Sequence, residues 1–237
     1  MWLSGDNVMR LVLALFLLPA LLRADDDAEK RIRAMEKKLA SAKSIQVTFE
    51  SRAEGLRESG TFKATLIVTE GNKMHLDGSI EINGKKVDWK KVSDGIKTAE
   101  EGLDRGTRST SKNLTEDYRR SLTHGGFIMG IYLSSSGGDG DETWPTFRVS
   151  DFELGKPDNV GTRRAQIVAC KLTPVPKGEK KVDISFSESV WLDMETNLPL
   201  KREFSGDFGG KKIKFTETYE KFVLDPKIDA KLFELPK

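Results

Sequence analysis

The sequence has little to work with chemically. Cys170 is its one cysteine in 237 residues, so an internal disulfide scaffold is excluded. It sits in RRAQIVACKL, an alternating stretch where a free cysteine serves as a small buried hydrophobe. Only two histidines are present, His75 and His124. Neither has a Cys, an Asp or the other His at metal-ligand spacing, so both read as core or solvated residues and no metal site is expected. A thiol nucleophile would need a base beside it, and none is placed next to Cys170. No sign of charge dominates either: 39 Lys and Arg face 37 Asp and Glu, interspersed along the chain. That excludes the basic stripe a nucleic-acid binder needs.

Long apolar runs are also scarce. The longest is LVLALFLLPALL, residues 11 to 22, preceded by Arg10 and followed by Arg23-Ala24-Asp25. At ~1.5 Å per residue it spans about 18 Å of helix, short of a bilayer core of ~30 Å. The layout is that of a secretory signal peptide over residues 1–24, with translation beginning at Met1 or Met9. The expected mature chain is one domain, residues 25–237, exported, periplasmic or otherwise, and soluble after cleavage. It is close to neutral and has no N-terminal cysteine for lipid attachment.

What the remainder does contain is periodicity. Residues 25 to 43 place Ile32, Met35 and Leu39 at helical spacing, acids first and lysines last, in accord with the helix dipole. SIQVTFESRA then switches to period two. Further alternating runs are GTFKATLIVT, KMHLDGSIEI and KKVDWKKV, punctuated by Glu70-Gly71-Asn72, Asn83-Gly84 and Asp94-Gly95, which is hairpin chemistry. Residues 113 to 136 read as one or two short helices with an apolar second half, and residues 134 to 145 as a polar, Gly-rich surface loop. The meander resumes at Thr146 and closes on DAKLFELP; in VWLDMETNLPLKREF, Asp193 and Asn197 supply the turn of a hairpin. The expected fold class is α+β: about nine to eleven antiparallel strands in a curved sheet wrapped over helices.

Enzyme patterns are weak. Glu100-Glu101 and Glu217 with Glu220 read as solvated strand faces rather than a tuned acid and base. The acidic run from Gly137 to Glu142 lacks the spacing of a calcium loop. Asn113-Leu114-Thr115 matches a glycosylation sequon that is common by chance. The chain is expected to be non-catalytic, with no cofactor.

Taken in order, the N-terminal helix leading into SIQVTFES, the Gly60-Thr61-Phe62 strand leading into EGNKMHL, the turn at Val92 to Gly95, the hairpin at Trp191 to Lys201 and the closing DPKIDAKLFELP resemble the periplasmic outer-membrane lipoprotein carriers, the LolA-like or lipoprotein-sorting proteins. The resemblance spans nearly all of the mature chain. It implies an unclosed β-barrel whose concave face is covered by helices, and an apolar cavity that shields a lipid or lipoprotein acyl chain during carriage across the periplasm. The other reading is a non-catalytic envelope sensor or interaction protein with the same fold and a filled cavity. One departure stands out: where the carriers have Arg-Pro before the third strand, this chain has Glu70-Gly71. It therefore lacks, at that position, the arginine that the resemblance implies holds the helices.

Alternation places Val47, Phe49, Phe62, Leu66, Val68, Met74, Leu76 and Ile80 on the concave face, with Phe127, Ile128, Ile131 and Tyr132 of the middle segment as a lid. These twelve are the candidate ligand-binding residues. The expected partners are the acyl chain and envelope proteins, and the chain is expected to be a monomer.

Overall fold

The computed structural model describes residues 26–55, 60–82, 84–102, 106–109, 114–126, 147–175, 185–208 and 210–236. The segment read as a signal peptide and the Gly-rich loop at 134–145 lie outside these. Helix α1 occupies 26–41, and its apolar stripe of Ala28, Ile32, Met35 and Leu39 is fully buried. Beside this stripe Arg33 bridges Glu29 and Glu36 at 3.1 and 3.0 Å, pairs at the helical spacing where side chains meet.

The switch in period at Ser44 is a change of element. Strands β1 (Ser44–Glu54), β2 (Gly60–Thr69), β3 (Lys73–Ile82), β4 (Lys85–Asp94), β5 (Lys97–Glu101) and β6 (Gly106–Ser109) follow, then helix α2 (Leu114–Thr123). After it come β7 (Phe147–Leu154), β8 (Asp158–Val160), β9 (Arg163–Pro174), β10 (Phe186–Asp193), β11 (Pro199–Phe208), β12 (Lys211–Leu224) and a 3₁₀ turn at Ala230–Phe233. The strands form one antiparallel sheet in the order β6-β5-β4-β3-β2-β1-β12-β11-β10-β9-β7, with the three-residue β8 paired to β9. The first and last long strands meet at the middle of the sheet. Asp225 fixes that junction by accepting from the amides of Lys43 and Ser44 at 2.7 and 3.0 Å.

The turn residues act as their chemistry predicts. Gly71, Gly95, Asn72 and Asn197 all take positive φ. In the β10–β11 hairpin Asp193 accepts from the amides of Glu195 and Thr196, and Asn197 donates to the Arg31 carbonyl of α1 at 2.9 Å. The hairpin thus also docks the helix.

The sheet is curved and unclosed. β4 and β9 are seven strand positions apart, roughly 34 Å if flat at ~4.8 Å per strand. Yet Trp89 of β4 and Val168 of β9 belong to one core with α1, a helix about 24 Å long at ~1.5 Å per residue. At the far edge, the ring of Phe152 lies 5.4 Å beneath the Arg33 guanidinium of α1. The connection from β6 to β7 runs from one edge of the sheet to the other, and α2 is its described part. This is the architecture that the resemblance to LolA-like proteins implied: an open curved sheet with helices on its concave side.

Gly78 marks the tightest approach in the β2–β3 pair. A Cβ there would lie 2.3 Å from the Lys63 carbonyl oxygen and 2.5 Å from Ala64 Cβ. Gly78→Ala should therefore cost about 1–3 kcal/mol in urea unfolding, whereas Ser79→Ala on the same strand should stay within about 0.5 kcal/mol.

Candidate functional site

The concave face is built by three rows of side chains. The first row holds most of the residues picked out by alternation: Val47, Phe49, Phe62, Leu66, Val68, Met74 and Leu76 are all buried, and half-buried Ile80 packs at their margin. They share one cluster with Ile32, Met35 and Leu39 of α1. Phe49 and Phe62 meet edge to face at 5.7 Å, and Phe62 lies 5.5 Å from Trp89. Sequence placed these residues on the correct face, and the structure shows α1 packed against them. Phe127, Ile128, Ile131 and Tyr132 lie outside the described residues.

The second row is charged. The strand register lines up Ser51 of β1, Glu217 of β12 and Arg202 of β11, with Glu188 on neighbouring β10. Arg202 and Glu188 are each 1% exposed and Glu217 2%, a depth at which an unpaired charge would be prohibitive. Each has a polar partner. Arg202 Nε lies 3.2 Å from Glu188 Oε1. Ser51 and Tyr219 donate their hydroxyls to Glu217, both at 2.7 Å. Glu188 also accepts from the Gly125 amide at 2.9 Å.

This row holds α2 in place. Arg202 donates to the carbonyls of Ser121 and Leu122 at 3.3 and 2.9 Å, two of the acceptors that a helix end leaves without intrahelical partners. At the other side Arg119 of α2 reaches back to α1, donating to the carbonyls of Ala42 and of Lys43, the latter at 2.9 Å. Gly125 and Gly126 then turn the chain at φ of 82° and 79°. A Cβ on Gly126 would sit 2.6 Å from Glu217 Oε2, so the backbone here rests directly on the charged row.

Beyond the charges lies a third row, rich in aromatic rings. Ala53, Cys170, Leu172, Phe186, Phe204, Ile213 and Phe215 form a second buried cluster, with half-buried Phe147, Val149 and Phe152 along its rim. Phe186 and Phe204 are 4.8 Å apart, and Phe147 packs on Phe186 at 6.3 Å. Phe204 follows Arg202 by two residues and Phe215 precedes Glu217 by two, so this cluster shares the concave face with the charges. Among the described residues it includes none from α1 or α2.

Several sequence expectations need correction here. Glu217 is not a solvated strand residue but sits in the buried row. Glu100 also faces inward, accepting from the Trp89 indole at 2.9 Å and lying 3.6 Å from Lys91. His124 is a core histidine, as one of the two readings had it, but one tied to two carboxylates. Cys170 is buried as expected, and burial together with Glu188 pushes its thiol up, away from a nucleophile. Among the described residues no group of three His, Cys, Asp or Glu could hold a metal ion.

The electrostatics follow from geometry. Burial alone would raise the Glu188 carboxyl, but Arg202 and His124 outweigh it and hold it below the ordinary carboxylate range. Burial likewise opposes ionisation of Glu36, and His124 and Arg33 overcome it. A carboxylate lowered in the folded state contributes stability above its unfolded pKa and loses it as the pH falls through the folded value. Thermal unfolding should therefore show stability falling as the pH drops below the usual carboxyl value of 4.5. At neutral pH, Arg202→Met should cost about 3–5 kcal/mol by leaving buried carboxylates uncompensated. Adding Glu188→Gln should cost less than the sum of the two single changes, read by urea unfolding.

No family model and no curated protein matches the chain. Among solved structures it is similar to the Mycobacterium tuberculosis lipoprotein LppX at 13% identity and a TM-score of 0.44, covering 85% of this chain and 100% of that one. It is similar to LprF from Mycobacterium bovis at 12% identity and a TM-score of 0.47, over 85% of this chain and 97% of that one. A LolA superfamily protein from Nitrosomonas europaea is similar at 11% identity and a TM-score of 0.29, over 88% and 97% of the two chains. These likenesses are distant.

Proposed function

We propose that this chain is an exported, non-catalytic protein that takes a lipid or lipoprotein acyl chain into its concave trough and carries it through the periplasm. The observation behind the reading is the third row. Seven buried strand side chains, three of them Phe, line the concave face beyond the charged row, and none of the cluster comes from either described helix. Helix α1 accounts for the first row by its own packing, whereas neither described helix contributes to the aromatic cluster, and this reading places the acyl chain at that end. Burying a ~14-carbon chain removes on the order of 11 kcal/mol of exposure to water, at about 0.8 kcal/mol per methylene. A membrane offers nearly the same relief, so a carrier needs an apolar lining with few polar anchors.

The test is uptake of a fluorescent fatty acid by the delipidated protein, with native mass spectrometry of the protein as extracted. Val149→Asp, at the rim of the aromatic row, should weaken uptake at least about tenfold and shift Tm by no more than a few degrees, as rim changes do. Leu66→Asp, inside the row packed on α1, should unfold the chain instead. Uptake unaffected by Val149→Asp would move the ligand elsewhere. A wild-type protein that takes up no lipid and is recovered with a protein partner would favour the envelope-sensor reading.

A further inference from the structure

His124 stands where α1, α2 and the sheet meet, immediately after the last residue of α2. Its Nε2 lies 2.8 Å from Glu36 Oε1 on α1, and its Nδ1 lies 3.1 Å from Glu188 Oε2 on β10. Both ring nitrogens thus face carboxylate oxygens, which can only accept. A neutral imidazole has one N–H, so one of these contacts would set a nitrogen lone pair against a carboxylate. The arrangement is satisfied in full only by the imidazolium. We propose that His124 is a proton-operated clasp: protonated, it ties the end of α2 to both α1 and the sheet, and on losing its proton it gives up one of these two ties and loosens that end, hinged at Gly125 and Gly126.

The surroundings define the device. Helix α1 presents Glu36, itself held by Arg33 at 3.0 Å. Strand β10 presents Glu188, β11 presents Arg202, β9 presents Cys170 and β12 presents Glu217 and Tyr219. The closest groups are the two acids, and although burial works against a charged ring, those acids raise the His124 pKa above its ordinary value. Arg202 opposes the shift less strongly.

The sign follows. A histidine raised in the folded state gives its full stabilisation below the unfolded value of about 6.5, and that contribution disappears as the pH rises through the folded value. The clasp is therefore shut below about pH 6.5 and opens as the pH rises through the raised folded value. What opens is specific. Arg202 still holds the Ser121 and Leu122 carbonyls and the Gly125 amide still donates to Glu188, but the neutral ring has one N–H and keeps only one of its two ties, to Glu36 or to Glu188. Nothing in the clasp depends on the acyl-chain reading, so it stands or falls separately.

The experiment is hydrogen exchange of the full mature chain followed by mass spectrometry at about pH 6 and about pH 9, with rates corrected for intrinsic exchange, alongside ¹⁵N NMR of the histidine rings. The expected result is an imidazolium signature for His124 at pH 7, and a loss of protection of at least about tenfold in the peptide spanning 114–126 between the two pH values, with α1 retaining its protection. His124→Gln should remove the pH dependence and leave the α2 peptide fast at both. If that variant fails to fold, Glu36→Gln, at a half-buried position, keeps a hydrogen-bonding partner but removes one charge, and should move the transition to lower pH. A neutral ring at pH 7, equal protection at both pH values, or an unmoved midpoint in Glu36→Gln would each overturn the clasp.

Discussion

A fully buried arginine on the concave face of an antiparallel sheet is the constraint around which this molecule is organised. Arg202 cannot be left alone at that depth, because an uncompensated charge there would cost more than a domain of this size can spare. Its demands are met by Glu188 at 3.2 Å and by the end carbonyls of α2. Those demands select both the strand register and the resting place of a helix. Moving β11 by one residue would turn Arg202 to the solvent side and Lys201 and Glu203 inward.

The charged row also divides the trough. On one side lies a core that α1 fills with Ile32, Met35 and Leu39; on the other lies an aromatic cluster without a residue from either described helix. A sheet this wide has a concave surface longer than one sixteen-residue helix can cover. The division gives the two ends different compositions: one is packed on α1, and the other is built by strand residues alone among those described. This is why the acyl-chain reading attaches to the aromatic end, although the residues first picked out by alternation lie at the other.

Much of the fold was legible in sequence. Helical spacing at Ile32, Met35 and Leu39, period-two runs and Gly, Asn and Asp turns located α1 and the long strands, because each is a local signal. The charged row was legible too, but only if alternation is followed through its exceptions. Glu188 lies in phase with Phe186 and Val190, Arg202 with Phe204, Glu217 with Phe215 and Tyr219, and Ser51 with Phe49 and Ala53. A polar residue in the apolar phase of four strands is a row waiting for a register to align it. What no single strand could show is the pairing order, in which β1 and β12, the first and last strands in the sequence, become neighbours. The twofold engagement of His124 was hidden for the same reason: its partners are 88 and 64 residues away.

How α2 is held decides how freely it can move. Ten residues are too few for a helix to persist on its own in water, and α2 buries only Ser121 and Leu122 fully. Leu122, worth about 1.5–3 kcal/mol when fully buried, and half-buried Leu114 and Tyr118 pack it on the core, which offsets part of the cost of ordering the helix. The balance comes from polar contacts at its two ends: Thr115 on Asn72, Arg119 on the end of α1, and Arg202, Glu188 and His124 at the C-terminal end. Contacts of this kind are directional and few, so they are lost together when geometry changes, whereas an apolar face slides and repacks. An element anchored by ions over an apolar trough belongs to the low-stability end of the molecule. Its contacts to the sheet are made by single side chains, so the strand pairing does not depend on it.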